Sequence, residues 1–256
     1  MPVYDLGRDS GDMRLVFLGT GGYHPNERRH TACLFLPDSG IVLDAGTAFF
    51  RVQQRLQTDR LDVFLTHAHL DHICGLTFPL VPVLRGDLKT LCVHGTEQTI
   101  QAVRRHLFSE ALFPIAPPFE WQVMTEPLTM RDGCRLSFCD LPHPGGAVGY
   151  RLDWPNRSMA YITDTTAPGD YTEFIRGVDL LVHECYFADE QREWALKTGH
   201  SCATDVACVA RDAEVGRLML VHVDPQHPED DPIGLEAVRS VFSEVELAED
   251  LQEVSF

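Results

Sequence analysis

The sequence predicts a mixed α/β fold in one domain covering residues 1–256, and three observations lead there. Short apolar runs of strand length recur along the chain, several ending in glycine-rich or Asp-Gly turns. Helix-length segments are interspersed among them rather than gathered in one block. No low-complexity tract, short repeat or composition shift divides the chain.

In order, Arg14–Leu18 reads as a strand entering the turn Gly19-Thr-Gly-Gly22. Cys33–Leu36 and Ile41–Leu43 follow as a strand pair around Pro37-Asp-Ser-Gly40. Ala48–Leu56 reads as a helix, Leu61–Thr66 and Leu91–Val93 as strands, and 96–108 as a second helix. The stretch Phe113–Phe119 is Pro-rich but too short and apolar for a linker. Strands are expected at 121–124, 134–141, 148–152 and 158–163, with turns at Asp132-Gly133 and Pro155-Asn156. A helix near 170–176, a strand at 179–184, a helix at 203–213 and a strand at 217–223 complete the pattern. The acidic segment Glu244–Glu253 reads as a solvated face or edge, and Arg28, Arg29 and His30 as exposed charge.

With 21 Lys+Arg against 38 Asp+Glu the formal charge is −17, while 44% of residues are hydrophobic and 23% charged. This excludes wholesale disorder and argues against a nucleic-acid coat or a polybasic membrane binder. A phosphate substrate remains compatible if cations sit in the site. The polar start Met1–Arg14, with Asp5, Asp9 and Asp12, does not read as a secretory signal. Ile73–Leu84 is interrupted by Pro79 and Pro82 and is too short to span a bilayer. Eight scattered cysteines without a Cys-x-x-Cys pair suit reduced thiols, so a cytoplasmic location is expected.

The unusual feature is histidine. The strand ending at Thr66 runs into His67-Ala-His69-Leu-Asp71-His72. Residues two apart in an extended segment point the same way, so His67 and His69 can converge on one metal. Asp71 and His72, where the chain turns, can then face a second ion. Imidazole and carboxylate donors favour zinc, with manganese or iron as alternatives.

This motif resembles the defining motif of the metallo-β-lactamase superfamily, which implies a four-layer αββα sandwich with a dinuclear metal cleft. The resemblance continues in order along the chain. His143 in Leu-Pro-His-Pro-Gly-Gly, Asp164 in Tyr-Ile-Thr-Asp-Thr and His222 in Leu-Val-His-Val-Asp look like the later ligand motifs. It implies that His67, His69, His143 and Asp164 hold one divalent ion, and Asp71, His72, Asp164 and His222 the other. Asp44, in Leu-Asp-Ala-Gly, matches a motif expected to support the ligands from behind.

Val-His183-Glu184-Cys-Tyr-Phe and Thr-Gly-His200-Ser are similar to paired motifs of the ribonuclease Z group, as are the loop after Leu18 and Asn26-Glu-Arg-Arg29. In that group the counterpart of Glu184 orients the counterpart of His200, which protonates the leaving group. Asp71, Glu184 and His200 are therefore the expected catalytic side chains. Helix capping by Ser201 or Thr204 would need no catalysis. The chain departs from the group in three places. Only 21 positions separate His143 from Asp164, room for two strands and a turn but not for the tRNA-binding arm. The Asp44 motif continues Ala-Gly-Thr-Ala-Phe, without the glutamate, and the last motif reads His222-Val-Asp-Pro instead of His-x-Ser-x-Arg.

The implied activity is a dinuclear metal-dependent phosphodiesterase, acting on a small or cyclic phosphodiester or an RNA end by metal-hydroxide attack. The alternatives are ester, thioester, lactone or sulfate-ester hydrolysis on the same fold, or a non-hydrolytic metal-binding protein. No membrane partner and no extended nucleic-acid surface are expected, and the resemblance implies a homodimer.

Overall fold

In a computed structural model that describes residues 12–227 and 229–256, the strands form two mixed sheets of seven strands each. Asp5 and Asp9 of the polar start lie outside the described residues. The first sheet contains β1 (Arg14–Gly19), β2 (Cys33–Leu36), β3 (Ile41–Leu43), β4 (Arg60–Phe64), β5 (Thr90–Gly95) and β6 (Glu120–Val123). The second contains β7 (Leu128–Thr129), β8 (Arg135–Leu141), β9 (Ala147–Asp153), β10 (Ser158–Ile162), β11 (Leu180–Glu184), β12 (Arg217–Val221) and β13 (Val245–Leu247). The last strand, β14 (Glu253–Ser255), returns to the first sheet and pairs antiparallel with β1. The first sheet runs parallel from β3 to β6, and the second from β10 to β13.

Both sheets are covered on both faces, which explains why their strands read as continuous apolar runs. Within β1, Leu15 and Phe17 enter the layer between the sheets, while Val16 and Leu18 face the outer helical layer. The inter-sheet layer joins Phe64 of the first sheet to Tyr150, Tyr161 and Met219 of the second. Outside the second sheet, Ile162, Leu181 and Leu220 pack on Val206 and Ala210 of a helix at Ala203–Asp212 and on Val238 of another at Leu235–Val241. Outside the first, Val63, Leu65 and Val93 pack with Phe49, Ile100 and Val103. The layers are helix, sheet, sheet, helix, the αββα sandwich that the resemblance implied.

Six α-helices are present among the described residues: α1 (Leu70–Ile73), α2 (Leu80–Arg85), α3 (Glu97–Ala102), α4 (Arg192–Thr198), α5 (Ala203–Asp212) and α6 (Leu235–Val241). None is long and apolar enough to cross a membrane. All eight cysteines are free thiols, five of them buried.

Three expected helices come out differently. Ala48–Leu56 is two 3-10 segments, Thr47–Arg51 and Gln53–Arg55. The 96–108 helix is α3 followed by a π-helical turn, Val103–Leu107. Residues 170–177 form successive turns, which bury Tyr171 and Ile175 at helical spacing without a helical hydrogen-bond ladder. The acidic segment is also not simply a solvated face. Asp250 accepts hydrogen bonds from Thr20 N (3.0 Å), Thr20 Oγ1 (2.8 Å), His30 N (2.8 Å) and Arg51 (2.6 Å). Arg29, expected at the surface, is buried and donates to Thr20 Oγ1 and Ala248 O. Together they fasten the glycine-rich turn after β1 to the C-terminal segment.

Candidate metal centre and active site

The candidate side chains leave the ends of strands from both sheets and meet at one edge of the sandwich. His67 and His69 lie just beyond β4, and Asp71 and His72 occupy the first turn of α1. Asp44 follows β3, Asp164 follows β10 and His222 follows β12. These last three adopt left-handed backbone conformations, with φ of 59°, 53° and 58°. For a residue with a Cβ this costs on the order of 1 kcal/mol, and here it turns each side chain sharply at a strand end toward the cleft.

The seven candidate ligands fall into two adjoining groups that share Asp164. Its Oδ2 lies 3.5 Å from His67 Nε2 and 3.6 Å from His143 Nε2. Its Oδ1 lies 3.2 Å from His72 Nε2 and 3.4 Å from His222 Nε2. His69 Nδ1 is 3.3 Å from His143 Nε2, and the donor atoms of His67, His69, His143 and Asp164 all fall within 4.8 Å of one another. The same holds for Asp71, His72 and His222, with Asp71 Oδ2 3.3 Å from His222 Nε2.

Ring nitrogens facing away from the cluster are mostly held by the fold. His72 Nδ1 pairs with Asp44 Oδ2 at 2.8 Å, His143 Nδ1 with Gly199 O at 2.9 Å, and His67 Nδ1 with Thr66 Oγ1 at 3.0 Å. Asp44 is completely buried, and it also accepts from Thr66 N (2.8 Å) and Tyr161 OH (3.1 Å). Such outer bonds fix each ring so that the opposite nitrogen points into the cluster.

Charge in the cluster follows from this crowding. Burial, reinforced by neighbouring histidines, holds His67 well below its usual pKa; burial first also lowers His69 and His143. Their lone pairs are therefore free near neutral pH. Burial would raise Asp164 and Asp71, but the facing imidazoles outweigh it and keep both carboxylates ionised. His67 Nε2 is buried with no hydrogen-bond partner. An orphaned imidazole nitrogen, ionised carboxylates and convergent rings form a donor set of the kind that binds divalent cations.

Beside this cluster sits Glu184, the completely buried last residue of β11. Its Oε1 accepts from Thr165 N at 2.7 Å and lies 3.1 Å from His200 Nδ1, while Oε2 accepts from Ser201 N at 3.2 Å. Burial would lower the His200 pKa, but the Glu184 charge and hydrogen bond, helped by Asp164, push it up to about 9. The occupied Nδ1 leaves Nε2 for the cleft that His200 lines. His200 also shares a neighbourhood of 4.8 Å with Asp164 and His222. Ser201 is not a helix cap: its hydroxyl donates to Thr165 O at 2.6 Å, and Thr204 N is capped instead by Asp189 Oδ1 at 3.1 Å.

A family model described as "Beta-lactamase superfamily domain" matches residues 40–223. The chain belongs to the beta-lactamase superfamily. Among curated relatives, this beta-lactamase superfamily chain is 27% identical to "Ribonuclease Z" of Acaryochloris marina, over 93% of this chain and 96% of the relative. It is 29% identical to "Ribonuclease Z" of Halobacterium salinarum, over 85% and 89%. Among solved structures, the metallo-beta-lactamase fold protein YhfI from Bacillus subtilis matches with a TM-score of 0.82 and 21% identity, covering 96% of this chain and all of that one. Human tRNase Z, short form, matches with a TM-score of 0.74 and 21% identity over 94% and 98%.

Three further residues shape this superfamily site in ways the sequence did not assign to them. Tyr186 stacks on His200 with ring centroids 4.7 Å apart and an interplanar angle of 23°. A Cβ on Gly22 would approach the His222 ring to 2.7 Å, so that glycine leaves room for an imidazole. Tyr23 N donates to Asp71 Oδ2 at 2.9 Å. The interval between His143 and Asp164 is filled by β9, a four-residue turn and β10.

Proposed function

We propose that this protein is a dinuclear metal-dependent phosphodiesterase of the ribonuclease Z type, acting on small or cyclic phosphodiesters or on an RNA end. The observation that carries the reading is the Glu184–His200 pair, 3.1 Å apart at the edge of a shared-carboxylate cluster. A thiolate leaving group needs little protonation, whereas an alkoxide leaving phosphorus needs a proton, and this pair is arranged to deliver one. Names of relatives agree: several are called ribonuclease Z, and a structure described as a diphosphatase from the PhnP family matches with a TM-score of 0.73.

In this reading His67, His69, His143 and Asp164 hold one divalent ion, and Asp71, His72, Asp164 and His222 hold the other. Zinc leads for imidazole and carboxylate donors, with manganese or iron next. Bound ions supply positive charge for the phosphate oxygens and make water more acidic. The chain's own residues do the rest. Asp164 fixes the spacing of the two positions, and Asp44 holds the His72 ring. Hydrolysis forms one P–O bond from water, which gives up a proton to solvent, and breaks the P–O bond to the leaving alcohol. His200 gives its Nε2 proton to the departing oxygen while Glu184 holds Nδ1 and stabilises the charged ring. A homodimer in a reducing, cytoplasmic setting belongs to the same reading, and sedimentation equilibrium measures the dimer.

The test is metal analysis of the purified protein followed by turnover of bis(p-nitrophenyl) phosphate, cyclic nucleotides and short RNA. Metal-dependent diester hydrolysis is expected. Stoichiometric metal without turnover of any of them, or faster thioester or lactone hydrolysis, overturns the reading.

A further inference from the structure

Beside the cluster lies a cleft of about 700 Å³ that no lysine or arginine lines among the described residues. Tyr23, Tyr186, Phe187 and Trp194 give it aromatic walls, and Asp224 adds a carboxylate. Asp224 is only 7% exposed. Its Oδ1 is fixed by Gln226 N at 2.9 Å and Tyr186 OH at 3.4 Å. Among the described residues its Oδ2 has only His227 Nε2 nearby, at 3.9 Å, beyond hydrogen-bond range. A carboxylate that lines a cleft and has an oxygen without a hydrogen bond is a site for a ligand's hydroxyl or amine, because charge-assisted hydrogen bonds are about twice as strong as neutral ones. Trp194, 56% exposed on α4, carries Lys197 Nζ over its ring at 4.6 Å from the centroid, so a base would stack on the opposite face.

We infer that Asp224 and Trp194 select the alcohol half of the substrate, and that this half is a nucleoside bearing no further phosphate. The inference rests on the phosphodiesterase reading and narrows it. Asp224 Oδ2 accepts from the ribose hydroxyls, Trp194 stacks on the base, and the Asp224 charge repels a second phosphate on the same nucleoside. Among the described residues no arginine or lysine lines the cleft to pair with a second phosphate beside Asp224, and the bound ions would already be engaged by the scissile diester. Of the possible donors, ribose hydroxyls fit better than an amine alone, since the adjacent walls suit an aromatic ring.

Binding to the zinc-loaded protein tests this by calorimetry. Adenosine is expected to bind at least about 10-fold more tightly than 2′,3′-dideoxyadenosine, and Asp224→Ala to bring that ratio close to one. Asp224→Asn, which keeps the shape, covers the case in which the alanine variant fails to fold. It is expected to reduce the wild-type penalty, about 10-fold in kcat/KM, that a 3′-phosphate imposes on adenosine 5′-(methyl phosphate), whose ribose hydroxyls are otherwise free to reach Asp224. Quenching of tryptophan fluorescence by adenosine should disappear in Trp194→Leu. Equal binding of the two nucleosides, or a hydroxyl preference unchanged in both Asp224 variants, overturns the inference. Turnover of bis(p-nitrophenyl) phosphate, which carries no sugar, separates the two claims. If it is hydrolysed while adenosine shows no preference, only the nucleoside inference fails; if no diester is hydrolysed, the phosphodiesterase reading fails.

Discussion

Two clusters of metal-type side chains are built around β4, and they behave differently. One lies beyond its C-terminal end, where His67, His69, His143 and Asp164 adjoin Asp71, His72 and His222. The other lies within the sheet, where Asp62 of β4 opposes Cys92 of β5 and His94 follows two residues on. The inner cluster is buried throughout, whereas the outer one runs from buried His67 and Asp164 to exposed His69; within each group the donor atoms lie within 4.8 Å of one another. In the inner cluster Arg60 closes on Asp62 with contacts of 2.9–3.1 Å, and His94 Nε2 reaches the same carboxylate at 2.8 Å. Burial pushes the Cys92 thiol up to about 11, so it stays protonated. The positive charge that Asp62 needs is already in the chain. Among the described residues no lysine or arginine lines the cleft, and Asp71 and Asp164 face imidazoles, most of them at nitrogens that can bind metal. Residue type alone does not distinguish the two clusters; the fixed cation Arg60 in one and the imidazoles facing the carboxylates in the other do.

The sharpest way to break this comparison is Asp164→Ala, which removes the carboxylate common to both groups. Metal content should fall below one ion per chain and diester hydrolysis by at least about 10³-fold, read by elemental analysis and a p-nitrophenolate assay. Retention of both ions would show that Asp164 does not join the positions. Asp62→Asn is the counterpart. It should lower stability by about 2 kcal/mol in urea unfolding, because Arg60 and His94 lose the carboxylate between them and Arg60 keeps only Glu120. Bound metal and turnover per bound metal should not change. A loss of metal in that variant would make the inner cluster a second ion site.

Smaller effects address the proton donor. Glu184→Gln should reduce kcat on an alkyl diester by about 10²-fold with metal content unchanged. His200 acts only while protonated, so activity should hold below its pKa and fall as pH rises through it. The protein alone sets that value at about 9, and bound cations lower it, which places the alkaline limb at or below about pH 9. In Glu184→Gln the limb should move to lower pH. A limb that stays in place would mean another group titrates.

Much of this was legible in the sequence because it depends on order and on short-range pattern. The strands of β1–β5 and β8–β12 were readable as apolar runs since both sheet faces are covered. The order of the candidate ligands His67, His69, Asp71, His72, His143, Asp164 and His222 was readable through the family resemblance; five of them follow strands, while Asp71 and His72 sit in α1. What was not legible depends on distant contacts. The helix α4 has no apolar stripe, because Trp194 and Leu196 are both exposed and only Ala195 is buried. Asp250 and Arg29 looked like surface charge, yet the partners that bury them are more than 200 residues apart. Asp224 was visible only as a departure in the last motif, and its open oxygen needed the cleft around it to be seen.

In the proposed reaction Glu184 and His200 serve a leaving group at a metal cluster. This is tested by comparing His200→Ala with the native protein on two diesters, one releasing p-nitrophenolate and one releasing an alkoxide, with metal content matched. A loss of about 10²–10⁴-fold is expected for the alkoxide and less than about 10-fold for p-nitrophenolate. Equal losses on both substrates, or full activity on the alkoxide diester, would contradict it.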